Sequence, residues 1–169
     1  MYDKGHGGGS VFFMLLACQD ETNQRNDDAH ISKLENSTVM NKQTIKAEIE
    51  DALTIYFEAL NKSNVEQAVG QYTADGIFMP TGLPTATGTH ELTIAYQNVF
   101  KAILLNVSFK MEEAVILEDS VVFVRTQSNG SQLIRASGQK SNELNREFFL
   151  MKKENNKWKI ARYMFNQPK

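Results

Sequence analysis

Apolar residues recur at two different periods along this chain, and the change from one to the other limits the possible folds more than any other feature. Over residues 43–61 they fall at Ile45, Ile49, Ala52, Leu53, Tyr56, Phe57 and Leu60, the spacing that lays one stripe of a helix against a core. Lys62-Ser63-Asn64 breaks the pattern. Asn64 can accept from a free helix N–H, so it predicts the cap of a short second helix running to Tyr72. Gly76-Ile77-Phe78-Met79 predicts a short strand, stopped by Pro80 and a Gly/Pro/Thr loop that ends at Gly88. A third helix, capped by Thr89, carries Leu92, Tyr96, Val99, Phe100, Ile103 and Leu104 on one face. From Val107 the period becomes two. Residues 107–117 predict one long strand and residues 120–127 the next. The Asn129-Gly130 pair predicts a tight hairpin into residues 132–138, and Glu154-Asn155-Asn156 predicts another between residues 145–153 and 157–166.

Helices followed by a run of strands argue for an α+β fold rather than a parallel α/β sheet. Three helices suffice to cover one face of a curved antiparallel sheet. The expected architecture is therefore a cone, with a cavity between the helices and the wall of strands. A chain of 169 residues holds one such domain comfortably and two with difficulty.

Several function classes are excluded at this point. The formal net charge is −2 and no basic cluster occurs, so no nucleic-acid footprint is present. The longest apolar run, residues 11–18, is much shorter than the roughly 20 residues of a spanning helix. His6, His30 and His90 are scattered and Cys18 is the single cysteine, so no metal-ligand spacing, internal disulfide or nucleophile-and-base pairing arises. His6-Gly7-Gly8-Gly9 matches an esterase oxyanion motif but lacks the downstream Gly-x-Ser-x-Gly elbow. No glycine-rich dinucleotide fingerprint follows a strand, so no cofactor is expected.

Residues 11–18, V-F-F-M-L-L-A-C, followed by the polar Q-D-E-T-N-Q-R-N-D-D, resemble a bacterial lipobox. The resemblance implies that residues 1–18 are a signal segment and that Cys18 carries the lipid. Residues 19–42 would be a flexible tether and residues 43–169 the folded domain. The protein would then be an exported bacterial lipoprotein, periplasmic or outer-membrane associated, touching membrane only through its acyl chains.

Within the domain, Tyr56-Phe57-Glu58-Ala59-Leu60-Asn61 with Asn64-Val65-Glu66, and Tyr72-Thr73-Ala74-Asp75-Gly76-Ile77-Phe78, resemble two segments of SnoaL-like proteins. Gly88 before the third helix, Arg146-Glu147-Phe148-Phe149-Leu150 and Lys157-Trp158-Lys159-Ile160-Ala161-Arg162-Tyr163 extend the likeness over about residues 44–168. The chain is similar to the SgcJ/EcaC-type group within the superfamily of nuclear transport factor 2 and ketosteroid isomerase, whose cystatin-like fold is the cone described above. That isomerase uses an aspartate base and an oxyanion hole made of a tyrosine and a protonated aspartate. The tyrosine position falls on Tyr56. The base position falls on Met79 or Pro80, neither of which can take a proton, and the second acid falls on Phe148 or, with one gap, on Glu147. Tyr56 and Glu147 are therefore the candidate catalytic groups, and ketosteroid-type isomerisation is not expected. Glu147 would be exposed or paired with Arg125 or Arg162. The resemblance further implies a pocket of Tyr56, Tyr72, Met79, Phe148, Tyr163, Phe165 and Asn166 for a small apolar ligand. It also implies a homodimer formed through a sheet face bearing Arg125, Arg135, Lys159 and Arg162. Three functions remain open: a ligand-binding domain, an enzyme acting on a small hydrophobic or polyketide-like substrate, and a dimerising assembly module.

Overall fold

The computed structural model describes the backbone of residues 20–168 and side chains over residues 40–168. Backbone contacts divide the chain into a unit at Met1–Asn41 and a second at Lys42–Lys169. Among the described residues, helices α1 (Asp20–Asn61) and α2 (Val65–Val69) are followed by strands β1 (Tyr72–Met79) and β2 (Ala86–Thr87), helix α3 (Gly88–Ala102), and then β3 (Ile103–Glu118), β4 (Val121–Ile134), β5 (Lys140–Glu154) and β6 (Lys157–Asn166). The strands form one curved sheet in the order β2-β1-β6-β5-β4-β3. The α+β class is that expected.

Five corrections follow from the backbone. The stretch expected as a tether is helical from Asp20 onward; no glycine or proline lies between Ser10 and Val69 to interrupt a helix. Cys18 and the segment before it lie outside the described residues. The sheet is not wholly antiparallel, because β1 runs parallel to β6. Periodicity reports which face a side chain takes, not strand direction, and α3 with β3 to β5 supplies the crossover that a parallel pair needs. Asn129-Gly130 is not a turn but the middle of β4, paired to both β3 and β5; the chain reverses beyond Ile134, where Gly138 takes a φ of 67°. The cap of α3 is Thr87 rather than Thr89, and the Thr87 N–H donates to Glu91 Oε2 at 2.7 Å. The first strand starts at Tyr72 rather than Gly76, so Asp75 lies inside β1 at a register shift, accepting from Thr73 Oγ1 at 2.8 Å.

Element ends also shift: α2 stops at Val69, so Tyr72 opens β1 instead of closing the second helix, and Ile103 and Leu104, expected on the third helix, open β3. Asn64 caps α2 by accepting from Gln67 N–H at 3.0 Å, and Asn155 and Asn156 take φ values of 49° and 61° in the β5–β6 hairpin, the left-handed pair such a turn requires. The core lies between the helices and one face of the sheet. Ile49, Leu53 and Tyr56 from α1, Leu92 and Tyr96 from α3, and Val122, Val124, Phe149, Met151 and Ile160 from the strands are all essentially buried. Two polar contacts fix α1 against the sheet. Asn61 holds the backbone of Val107 on β3 through both its amide groups, at 2.8 Å each, and Trp158 Nε1 donates to Glu48 at 2.8 Å.

Candidate functional site

Alternation along β5 builds one wall of the cone. Glu143, Asn145, Glu147, Phe149 and Met151 are buried on the helix-facing side, and Arg146 and Phe148 face away. The same parity in β1 buries Phe78 and turns Met79 outward, opposite Met164 of β6. A one-residue change of register exchanges the two faces, which decides between the alternatives left by the sequence. Glu147, not Phe148, faces the interior.

Glu147 is 3% exposed and has no cationic partner among its contacts. Three hydroxyls donate to it: Thr126 and Ser128 from β4, the latter at 2.9 Å, and Tyr163 from β6 at 3.2 Å. The expectation of an exposed or arginine-paired glutamate is therefore corrected. Arg125 pairs with Glu113 at 3.4 Å and Arg162 with Asp75 at 3.5 Å, both on the opposite side of the sheet. Burial pushes the Glu147 pKa above the ordinary glutamate value, against the pull of the three hydroxyls.

Across the interior stand three tyrosines whose hydroxyls form a chain. Tyr96 of α3 is bonded to Tyr56 of α1 at 2.5 Å and to Tyr72 of β1 at 2.7 Å. All three are buried, and burial raises the pKa of each. Tyr163 stacks on Phe149 with ring centres 4.3 Å apart and on Phe78 at 5.2 Å, which orients its hydroxyl toward Glu147.

Between these walls lies a chamber of about 160 Å³, bounded by Tyr56, Phe78, Leu105, Glu147, Tyr163 and Phe165. It continues past Pro80, Leu83, Val99 and Ile103 into an apolar groove of about 590 Å³ between α3 and the β1–β2 loop. Of the residues expected to line the pocket, Tyr56, Tyr163 and Phe165 do so. Tyr72 is buried in the tyrosine chain without lining the chamber. Met79 and Phe148 are on the far face because of strand parity. Asn166, at the end of β6, is exposed and accepts from Arg146 Nε at 2.9 Å. Thr126, Ser128, Glu143, Asn145 and Tyr96 were not anticipated. Stepping by two from Glu147 reaches Asn145 and Glu143, so part of this wall could have been read once the inward parity was known.

No base faces the chamber where the isomerase would have one, since Met79 points out and Pro80 sits on the rim. Among the described residues no three His, Cys, Asp or Glu side chains gather to hold a metal ion. What the site offers is a protonatable acid in an apolar chamber. Its folded-state pKa is raised, so the folded chain retains a proton that the unfolded chain has lost as pH rises above about 4.5. Stability is therefore expected to fall as pH rises through that window. Glu147→Gln should remove this slope, and thermal melts of both proteins between pH 4.5 and pH 8 should converge at the acid end, with the variant relatively more stable at the neutral end. Parallel curves would contradict the assignment.

No family model and no curated protein sequence matches the chain. Among solved structures, a ketosteroid isomerase-like protein from Erwinia carotovora atroseptica is 30% identical, covers 72% of this chain and 96% of its own, and superposes with a TM-score of 0.68. An NTF-2-like protein from Shewanella oneidensis is 16% identical over 72% of this chain and 98% of its own, with a TM-score of 0.59. A hexachlorocyclohexane dehydrochlorinase, LinA type 2, is 11% identical over 75% of this chain and 87% of its own, with a TM-score of 0.66. At such identities the last two share the fold alone.

Proposed function

The chain belongs to the ketosteroid isomerase-like superfamily, and from that premise we propose that its domain binds a small, largely apolar molecule in the cone, anchored by Glu147, without isomerase activity. The observation that carries this reading is a carboxyl group 3% exposed, without a cation, opening onto an apolar chamber. Most ligand sites have this form, with apolar walls and a few placed polar groups. The chamber is on the order of the 150 Å³ apolar cavity that takes up benzene, so one ring fits inside and the rest of the molecule extends along the groove. LinA, named for a reaction of a small chlorinated hydrocarbon, has the same fold. Naphthylmethanol titrated into the protein should quench or shift its tyrosine and tryptophan emission saturably. Leu105→Trp, which fills the chamber, should abolish that signal. A β,γ-unsaturated ketosteroid should be turned over no faster than in buffer. Loss-free binding to Leu105→Trp would remove the cone as the site.

Two properties complete the proposal. The first is export with a lipid on Cys18, supported by the order of apolar core, small residue, cysteine and polar stretch; native mass without acyl chains would refute it. The second is a homodimer through the outer sheet face. Supporting it, Phe148 and Met164 are 41% and 43% exposed there, and Phe148 lies against Phe123 with ring centres 4.6 Å apart. Exposed apolar clusters of this kind mark contact surfaces. Of the four cations expected on that face, Arg135 instead lies beyond β4, donating to Phe100 O at 2.9 Å, and Lys159 donates to Gly70 O. The attraction is therefore apolar more than ionic. Phe148→Asp should convert dimer to monomer in light scattering while leaving the melting temperature within a few degrees, because the side chain is outside the core. A wild-type monomer would refute the dimer outright.

A further inference from the structure

The polar wall of the chamber is made almost entirely of acceptors. Thr126, Ser128 and Tyr163 all spend their hydroxyl protons on Glu147. Asn145 Nδ2 lies 3.2 Å from Glu143 Oε2 and 3.5 Å from Ser128 Oγ. The amide nitrogen is turned toward both of these oxygens, so the amide oxygen faces the other way. That oxygen, Asn145 Oδ1, is buried and has no hydrogen-bond partner, on a residue 9% exposed that lines the chamber. An orphaned buried acceptor is costly, about 1–3 kcal/mol, and a ligand donor that reached it would relieve that cost.

The charges point the same way. Glu143 is 8% exposed and Glu147 3% exposed, and both line the chamber, whereas among the described residues no Lys, Arg or His does. The groove leading in adds Glu91 and again no cation. Two carboxyl groups in one apolar space are relieved either by a proton, which burial helps Glu147 to keep, or by a cation that joins them. The remaining walls present the rings of Tyr56, Phe78, Tyr163 and Phe165, whose faces attract a positive charge. The tyrosine chain makes two hydrogen bonds with three hydroxyl protons, so it retains a single spare donor, on the opposite wall. The isomerase arrangement, which directs donors at a developing oxyanion, is inverted here.

Resting on the proposal that the cone is a ligand site, we infer that its ligand is an organic ammonium. The apolar body occupies the chamber and groove, and the N–H groups reach Asn145 Oδ1, Glu143 and Glu147. β6 ends at Asn166, opposite Arg146, so Asn145 and Glu143 lie beyond the end of β6, where a cationic head can arrive without crossing a further strand.

Three probes with one aromatic body separate the possibilities by calorimetry on the wild-type protein. Naphthylmethylamine carries an ammonium, naphthylmethanol a hydroxyl and naphthoate a carboxylate. The ammonium should bind at least about tenfold more tightly than the alcohol, as expected for hydrogen bonds to charged groups, and the carboxylate should not bind measurably. Glu143→Gln should lower amine affinity more than alcohol affinity and so reduce that preference, and Asn145→Leu should weaken both, because an alcohol O–H can also donate to that oxygen, with circular dichroism verifying both folds. Equal affinity for amine and alcohol overturns the ammonium assignment and leaves the cone standing as a site. Preferential binding of naphthoate overturns it as well. Binding of none of the three removes the ligand site itself and the assignment with it.

Discussion

Gly130→Ala is expected to lower the melting temperature by roughly 6–12 °C, the equivalent of about 3 kcal/mol in a domain of this size. A Cβ at this position would stand 2.1 Å from the carbonyl oxygen of Asn106 and 2.8 Å from Cα of Val107. Both obstacles are backbone, so neither can rotate away. The φ of 151° at Gly130 adds strain for any other residue. The contact is also tied to the site. Val107 is the residue that Asn61 clamps from α1, and Gly130 pairs with Glu143 of the acceptor wall. Displacing β3 here would therefore open the chamber as well as weaken the sheet, and affinity for the amine probe should fall together with stability. A melting temperature unchanged within a degree or two would show that β3 gives way easily and that the glycine is dispensable.

Tyr96→Phe should cost about 2–4 kcal/mol for the loss of one oxygen atom. Tyr96 is the middle member of the chain, so its removal strips the partner from both Tyr56 and Tyr72, which are 1% and 6% exposed. The penalty arises from two desolvated hydroxyls left behind rather than from the bonds themselves. It follows that the triple variant Tyr56→Phe, Tyr72→Phe and Tyr96→Phe should recover most of the lost stability, since replacing every partner by apolar groups of the same shape is close to neutral. Denaturant melts of the single and triple variants decide this. A triple variant less stable than Tyr96→Phe alone would show that the hydroxyl chain contributes net stability, and that stranded hydroxyls are not the source of the loss.

The elements of the fold were largely legible. The stripe from Ile45 to Leu60, the cap at Asn64, the left-handed pair Asn155-Asn156 and the switch to period two each depend on neighbours in sequence, and each is found in the structure. The site was legible only in part. Glu147 could be flagged as an acid in an apolar strand, but its partners Thr126, Ser128 and Tyr163 come from two other strands and are joined by register alone. Met79 and Phe148 were misplaced for the same reason, since a shift of one residue reverses the face. Gly130 was misread because Asn-Gly favours a turn in isolation, whereas in this sheet the glycine admits the backbone of β3.

Local chemistry, then, dictated the helices, the strands and their apolar faces, because hydrogen bonding and burial within an element follow its own spacing. Strand direction at β1, the inward turn of Glu147, the tyrosine hydroxyl chain and the unpartnered Asn145 oxygen were decided by packing between distant segments. Those contacts join residues as far apart as Tyr56 and Tyr96, or Thr126 and Glu147, and only the packing of helices and strands against one another brings them within bonding distance.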